Sequence, residues 1–146
     1  MPSTKGNSQL IRPLNAMTEQ TAHIATLKVV HLNASSAGGA FVAAQRLSQA
    51  LSQTDHIESS HWVFEGGEGD FYLWADQWLK KKWAFGLHAL EKLDFLRYER
   101  EKSVRFAFSH GKTGVNVSAW KSIQEADVIH LHWVNKGFVS LRGLKD

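Results

Sequence analysis

The chain has 146 residues, with 17 Lys and Arg against 14 Asp and Glu and a formal net charge of +3. That length fits one domain, and 43% apolar residues with only 2 Pro and 11 Gly exclude collagen-like and low-complexity classes. The absence of Cys excludes disulfide frameworks, Cys-ligated zinc, iron–sulfur clusters and thiol nucleophiles, and it is compatible with a reducing cytosol.

Residues 1–26 are polar and lack periodicity. They are predicted to form a disordered or poorly ordered extension, and they carry no recognisable export signal. A single α/β domain is predicted over residues 27–146. No apolar run approaches the roughly 20 residues that cross a bilayer, so no transmembrane helix is predicted.

Short apolar runs predict strands at 27–32, 60–64 and 127–133, and the last is predicted to be the clearest buried strand. Apolar spacings of three and four predict helices. Helices are predicted at 41–51 and 118–125, and the beginning of another at 137–144. A long helical segment is predicted from about 71 to 102, with an interruption near Gly86. This alternation predicts a Rossmann-like parallel sheet with helices on both faces.

The turn after the first predicted strand carries two successive glycines, Gly38 and Gly39. Glycines let the backbone approach a ligand, and the following helix directs its positive dipole end at the same point, which favours a phosphate. A tight strand-to-helix turn capped by Ser36 or Gly38 is the plainer interpretation. The pattern is not the dinucleotide fingerprint, because its third glycine position is filled by a larger residue.

His130 and His132 lie two apart in the last predicted strand, so both imidazoles project from one face. His130 is expected to be partly buried under a helix, and His132 to lie nearer the open end of the strand. The pair could bind metal, contact a sugar or phosphate oxygen, or act as acid or base, and it could equally be hydrogen-bonded core histidine. A metal is not predicted, since no third ligand stands at a recognisable spacing and His110 is distant.

The long helical segment combines Trp74, Trp78 and Trp83 with three consecutive lysines at 80–82. This composition suits contact with a membrane surface through the 74–100 helix, and packing of its apolar stripe on the domain is the alternative. Interleaved acidic residues and the lack of a reading motif argue against nucleic acid as a partner.

Several segments resemble the amino-terminal domain of family 4 glycosyltransferases, in the branch that builds bacterial surface polysaccharides. The opening segments are residues 28–33 (KVVHLN), 36–40 (SAGGA) and 43–47 (AAQRL). The later ones are residues 108–109 (FS), 125–135 (EADVIHLHWVN), 137–138 (GF) and Leu141. The HLHW block with its upstream EAD is the specific part of the resemblance, which runs from about residue 27 onward.

The resemblance implies a GT-B fold with two Rossmann-like domains, retaining chemistry, a sugar-nucleotide donor as co-substrate, and no metal or other cofactor. It also implies a cytoplasmic enzyme, peripheral on the inner face of the membrane, that transfers a hexose to a glycan or lipid-linked acceptor. The implied site residues are grouped by role: His132 and His130 as catalytic, Ser36, Gly38, Gly39 and Ala40 as donor-phosphate contacts, and Asn33, Trp133 and Asn135 in the acceptor cleft.

The resemblance covers an incomplete amino-terminal domain and includes no donor-binding domain. Val42 also stands where relatives often have an Arg early in the first helix. A truncated glycosyltransferase that is inactive alone is therefore expected. A non-catalytic, Rossmann-like module that binds phosphate or a partner is the alternative, and a metal-dependent hydrolase using the His pair is a third interpretation.

Overall fold

The computed structural model describes residues 25–101, 103 and 109–144. Four strands form one all-parallel sheet in the order β3-β2-β1-β4. The strands are β1 (Leu27–Ser35), β2 (Ile57–Glu65), β3 (Tyr72–Leu73) and β4 (Val128–Leu131). The predicted α/β class and parallel sheet are therefore confirmed. Of the extension expected to be disordered, residues 1–26, only residues 25 and 26 are among the described residues. Phe108, which belongs to the resemblance, lies outside them.

Within the described residues, three α-helices and a 3₁₀ turn connect and flank the strands. They are α1 (Gly39–Ser52), α2 (Trp78–Phe95), α3 (Lys121–Gln124) and a 3₁₀ turn at Arg142–Leu144. None of the helices in the described ranges combines the length and the apolar character that crossing a bilayer needs.

One face of the sheet carries the apolar core. Alternate β1 residues Val30, Leu32 and Ala34 point to this face, where they join a cluster contributed by β2, α2, α3 and the chain after β4. Its buried members include Phe64, Ala84, Leu87, Ile123 and Phe138. Because α2 and α3 supply part of this cluster, they cover the core face.

Helix α1 covers the opposite face of β2. The Ser48 hydroxyl lies 2.9 Å from that of Ser59, and the Phe41 ring stacks on the His61 imidazole at a centroid distance of 5.6 Å. Ser59 and His61 alternate with the core-facing residues of β2, so they mark the other side of the sheet. Helices thus flank both faces, as the sequence predicts.

Three predictions about elements are wrong in part. The strand predicted as clearly buried, β4, is exposed along its whole length because it is an edge strand paired only with β1. Tyr72 and Leu73 pair with β2 instead of starting the long helix, which begins at Trp78 and ends at Phe95. That helix also passes through Gly86 without a break, since one glycine costs a helix only about 1 kcal/mol.

The helix start predicted at 137–144 is also wrong, apart from the 3₁₀ turn at its end. Gly137 has φ +71°, and a Cβ there would lie 2.9 Å from the backbone carbonyl group of Leu87. This close approach locks the chain after β4 against α2, which fixes the neighbouring residues at the carboxyl edge of the sheet.

Candidate functional site

The predicted glycine turn lies at the carboxyl edge of β1 and leads directly into α1. Gly38 is the N-cap of α1, with φ +88° and ψ 173°, and Gly39 is the first helical residue. A Cβ at either position would meet no atom within 4 Å. The turn therefore borders open space, and only Gly38 needs glycine for its backbone conformation.

The first backbone amides of α1 are available to a ligand. The first N–H groups of any helix lack an acceptor within that helix, and no side chain caps α1. Val42 is the first residue whose N–H reaches back into the turn, where it donates to the Gly38 carbonyl at 3.2 Å. The amides of Gly39 and Ala40 thus add to the positive end of the helix dipole.

A cavity of about 450 Å³ opens beside this turn. Its lining joins the glycine turn to the end of β1 and to the chain after β4: Asn33, Ser35, Ala37, Gly38, Gly39, Ala40, Trp133 and Lys136. The Ala34 amide donates to the Trp133 carbonyl at 2.6 Å, so the β1–β4 pairing continues past β4 and holds Trp133 at the rim.

Asn33 supplies a buried polar group to this cavity. Its side chain is 1% exposed, and its Nδ2 donates to the Ser35 carbonyl, but its Oδ1 has no hydrogen-bond partner among the described residues. An unpaired buried acceptor costs about 1–3 kcal/mol, which a ligand donor would relieve. Lys136 adds a cation to the lining, where its Nζ lies 3.6 Å from Glu65 Oε1.

Ser36 lies behind the cavity lining and ties two loops together. Its hydroxyl accepts a hydrogen bond from the Gly67 amide at 3.0 Å, and its own amide donates to the Glu65 carbonyl at 3.1 Å. Gly66 packs so closely that a Cβ there would lie 1.9 Å from Ser36 Oγ. The predicted phosphate contact by Ser36 stays a prediction, since this geometry assigns the hydroxyl a structural partner.

A second cavity, of about 360 Å³, adjoins the first through Trp133. His132 and Asn135 also line it, and the Oδ1 of Asn135 is buried without a hydrogen-bond partner. Trp133 is 53% exposed and is the shared wall of the two cavities. The predicted cleft residues Asn33, Trp133 and Asn135 are therefore brought to one edge of the sheet.

The two predicted catalytic histidines are exposed in the opposite order from the one expected. His130 is exposed and lines neither cavity, whereas His132 is half-buried and lines the second one. The reason is that, within the described residues, His130 lies on an edge strand paired only with β1. Burial, and then the neighbouring His130 imidazole, lower the pKa of His132, which favours its neutral form.

Sequence reasoning missed His31, which lies beside this pair. Parallel pairing sets His31 opposite both His61 on β2 and His130 on β4. The His31 Nδ1 lies 3.1 Å from the Nε2 of His132, and the His130 and His132 rings stack at 4.0 Å. The spacing of residues within one strand could not reveal that His31, His61 and His130 lie side by side, because their positions depend on the register of three strands.

Two of these histidines, His31 and His61, are buried, and their burial favours the neutral imidazole. Burial is the main cause that lowers the pKa of His31 to about 4, and neighbouring imidazoles add to it. Burial likewise lowers the pKa of His61 to about 4. In the part of the chain that the structure describes, Nε2 of His31 and both ring nitrogens of His61 have no hydrogen-bond partner.

A third cavity, about 680 Å³, lies elsewhere, between α1 and the β2–β3 side of the sheet. Its lining is mostly uncharged and includes Gln45, Gln49, Ser59 and His61, with Asp70 as its carboxylate. Lys and Arg are missing from that lining, so it suits a phosphate less well than the cavity at the glycine turn. No predicted site residue lines it.

Comparison of the chain with protein-family models, with curated proteins and with solved structures finds no match.

Proposed function

We propose that the chain is the amino-terminal, acceptor-side part of a retaining glycosyltransferase that uses a sugar nucleotide. The supporting observation is the cavity at the carboxyl edge of β1, where the free amides of α1, the unpaired Oδ1 of Asn33 and the exposed ring of Trp133 meet. Ligands of open parallel sheets bind at this edge.

Each part of the cavity matches one part of such a donor. The amides of Gly39 and Ala40 would bind the diphosphate, whose charge the helix dipole and Lys136 favour. The Trp133 ring offers an apolar face to a sugar, and the unpaired oxygens of Asn33 and Asn135 can accept hydrogen bonds from sugar hydroxyls. His132, with its neutral form favoured, would contact the reacting sugars from the adjoining cavity.

Binding is tested by calorimetric titration of the purified chain with UDP and GDP and with their sugar derivatives. The Gly39→Ala variant places a methyl group in the open space above the turn without meeting protein atoms. We expect it to weaken binding at least about 10-fold, the equivalent of one charge-assisted hydrogen bond. Gly67→Ala is the matched control, because its Cβ also meets nothing and Gly67 does not line the cavity. Equal losses in both variants would contradict the proposed site.

Binding without turnover is the expected behaviour of this chain alone. Transfer requires donor and acceptor to be held in line, and in GT-B enzymes the second domain supplies much of that positioning. The described residues form one sheet with its flanking helices, and in our proposal this sheet supplies one side of such a cleft. Turnover of UDP- or GDP-sugars above background by the purified chain would contradict this part of the proposal.

A non-catalytic module is the second candidate, and the exposed apolar residues of α2 favour it. Trp78, Leu79, Trp83, Leu90 and Leu93 are all more than half exposed. A module of this kind would use the same cavity for phosphate and α2 for a partner. Binding of inorganic phosphate as tightly as UDP, with no gain from the sugar, would favour the module over the glycosyltransferase.

We also propose that α2 contacts the inner membrane surface, as expected for an enzyme with a lipid-linked acceptor. Its exposed Trp78 and Trp83 flank the consecutive lysines 80–82, and Lys82 Nζ lies 4.3 Å from the centre of the Trp78 ring. Apolar rings beside lysines are typical of interfacial helices. Co-sedimentation should be stronger with phosphatidylglycerol vesicles than with phosphatidylcholine vesicles. Trp83→Ser should weaken it, and Tyr72→Ser, an exposed aromatic outside α2, should not.

A further inference from the structure

Three imidazoles converge where β1 meets β4. One ring nitrogen from each of His31, His130 and His132 lies within 4.8 Å of the others. His130 and His132 come from the same strand and its immediate extension, and His31 comes from the neighbouring strand. Two ligands at i and i+2 on a strand with a third across the ladder form a compact set of nitrogen donors.

We propose that His31, His130 and His132 bind a divalent transition-metal ion of the zinc type, which goes beyond the proposed function and would replace the direct sugar contact proposed there for His132. Zinc–nitrogen bonds of about 2.0–2.1 Å set two nitrogens on a tetrahedral ion roughly 3.3 Å apart. The Nδ1 of His31 and the Nε2 of His132 share a hydrogen bond at 3.1 Å, close to that spacing, so an ion held between them would displace its proton. The third nitrogen comes from His130, whose exposed ring stacks on that of His132 at 4.0 Å and would rotate to reach the ion.

Backbone pairing holds these ligands on rigid strands. The Asp127 amide donates to the Lys28 carbonyl at 2.9 Å, and the His132 amide donates to the Leu32 carbonyl at 3.1 Å. The ladder therefore spans the whole ligand set, from before His130 to His132. Sites on strands keep their geometry better than sites on loops, which favours binding without a large ordering cost.

The ligand set leaves one coordination position open. Three protein nitrogens with a free fourth position are typical of catalytic rather than structural zinc sites. His130 is exposed, so that position is accessible from solvent to water or to a ligand oxygen. The group consists of three imidazoles and has no acidic member, and an imidazole binds a metal in its uncharged form, so the bound ion would keep its full positive charge and favour an anionic ligand.

The proposal is tested on the untagged full chain, since a polyhistidine tag would itself bind metal. After treatment with a chelator, the chain is titrated with Zn²⁺ by calorimetry, and its visible absorption is recorded with Co²⁺. We expect one ion per chain, a tetrahedral Co²⁺ spectrum, and a higher Tm with Zn²⁺, because an ion bound only to the folded chain stabilises it. Failure to bind Zn²⁺, or an octahedral Co²⁺ spectrum, would overturn the site.

Variants assign the binding to this cluster. His130→Ala removes an exposed ligand with little risk to folding, and it should weaken Zn²⁺ at least about 10-fold, the loss that even an outer-shell change can cause. His56→Asn is the control, because His56 is an exposed imidazole outside the cluster and Asn tolerates its φ of +64°. Unchanged Zn²⁺ affinity in His130→Ala, or an equal loss in His56→Asn, would refute the assignment. Zn²⁺ titration of Gly39→Ala separates this result from the proposed function, since Gly39 lines the donor cavity and does not belong to the histidine cluster, so its Zn²⁺ affinity should be unchanged.

Discussion

The two faces of the sheet use the same strands for different purposes. On one face, Val30, Leu32 and Ala34 of β1 pack into the apolar cluster with α2 and α3. On the other, the β1 residues between them, His31 and Asn33, are just as buried but carry polar atoms without hydrogen-bond partners. Folding does not need unsatisfied polar groups, so their burial supports the ligand sites that we propose on this face and at its carboxyl edge.

The largest expected effect separates the core of the sheet from its exposed edge. Leu32 and Leu131 are register partners in neighbouring strands, but Leu32 is 0% exposed and Leu131 is 37% exposed. Leu32→Ala should lower the free energy of unfolding by about 2–5 kcal/mol, because it leaves a cavity in the core. Leu131→Ala should cost less than about 1 kcal/mol, as expected for a partly exposed position. Chemical denaturation measures both, and equal costs would mean that β4 is covered in solution.

The second effect concerns His31 and His61, on the face of the sheet opposite the apolar core. His31 and His61 have folded-state pKa values of about 4, against an ordinary value of 6.5. Their neutral forms are favoured in the fold, so stability is complete above about pH 6.5 and is lost as the pH falls toward 4. Each contributes a slope of up to about 1.4 kcal/mol per pH unit.

Urea unfolding in the presence of a chelator, at several pH values across this window, measures that slope. His61→Leu removes one titrating imidazole and should flatten the slope. A slope that is the same in His61→Leu and in the unmodified chain would show that the fold does not lower the pKa of His61.

The smallest effect distinguishes the two glycines of the turn. Gly38 has φ +88°, so Gly38→Ala should cost about 1–2 kcal/mol in backbone strain. Gly39 is the first residue of α1, and Gly39→Ala should be neutral or stabilising by up to about 1 kcal/mol. Thermal unfolding of both variants gives the comparison. A destabilised Gly39→Ala would show that the space above the turn is filled in solution.

The sequence predicted those parts of the fold that depend on local patterns. The strand–turn–helix unit around Gly38 follows from β-branched residues, turn residues and helical spacing, and the structure confirms it. The burial of β4 could not be predicted, because apolar composition does not reveal that a strand lies at an edge. Tyr72 and Leu73 were misassigned because pairing with β2 overrides their local helical pattern.

The candidate site was predictable where it depends on sequence neighbours. Gly38, Gly39 and Ala40 lie together because they are consecutive, and Asn33 and Trp133 join them at strand ends. His31 was missed because its relation to His130 and His132 is a property of register, 99 and 101 residues along the chain. The role of Ser36 as a loop tie was missed for the same reason, since Gly67 lies 31 residues away.

Nuclear magnetic resonance of the ¹⁵N-labelled chain during titration with a UDP- or GDP-sugar examines the donor cavity at atomic level. We predict that the amide signals of Gly38, Gly39 and Ala40 and the indole signal of Trp133 shift together and saturate at one ligand per chain. A sugar-nucleotide site at the glycine turn would be contradicted if these signals did not move. It would also be contradicted if the shifts were confined to the 680 Å³ cavity lined by Gln45 and Gln49.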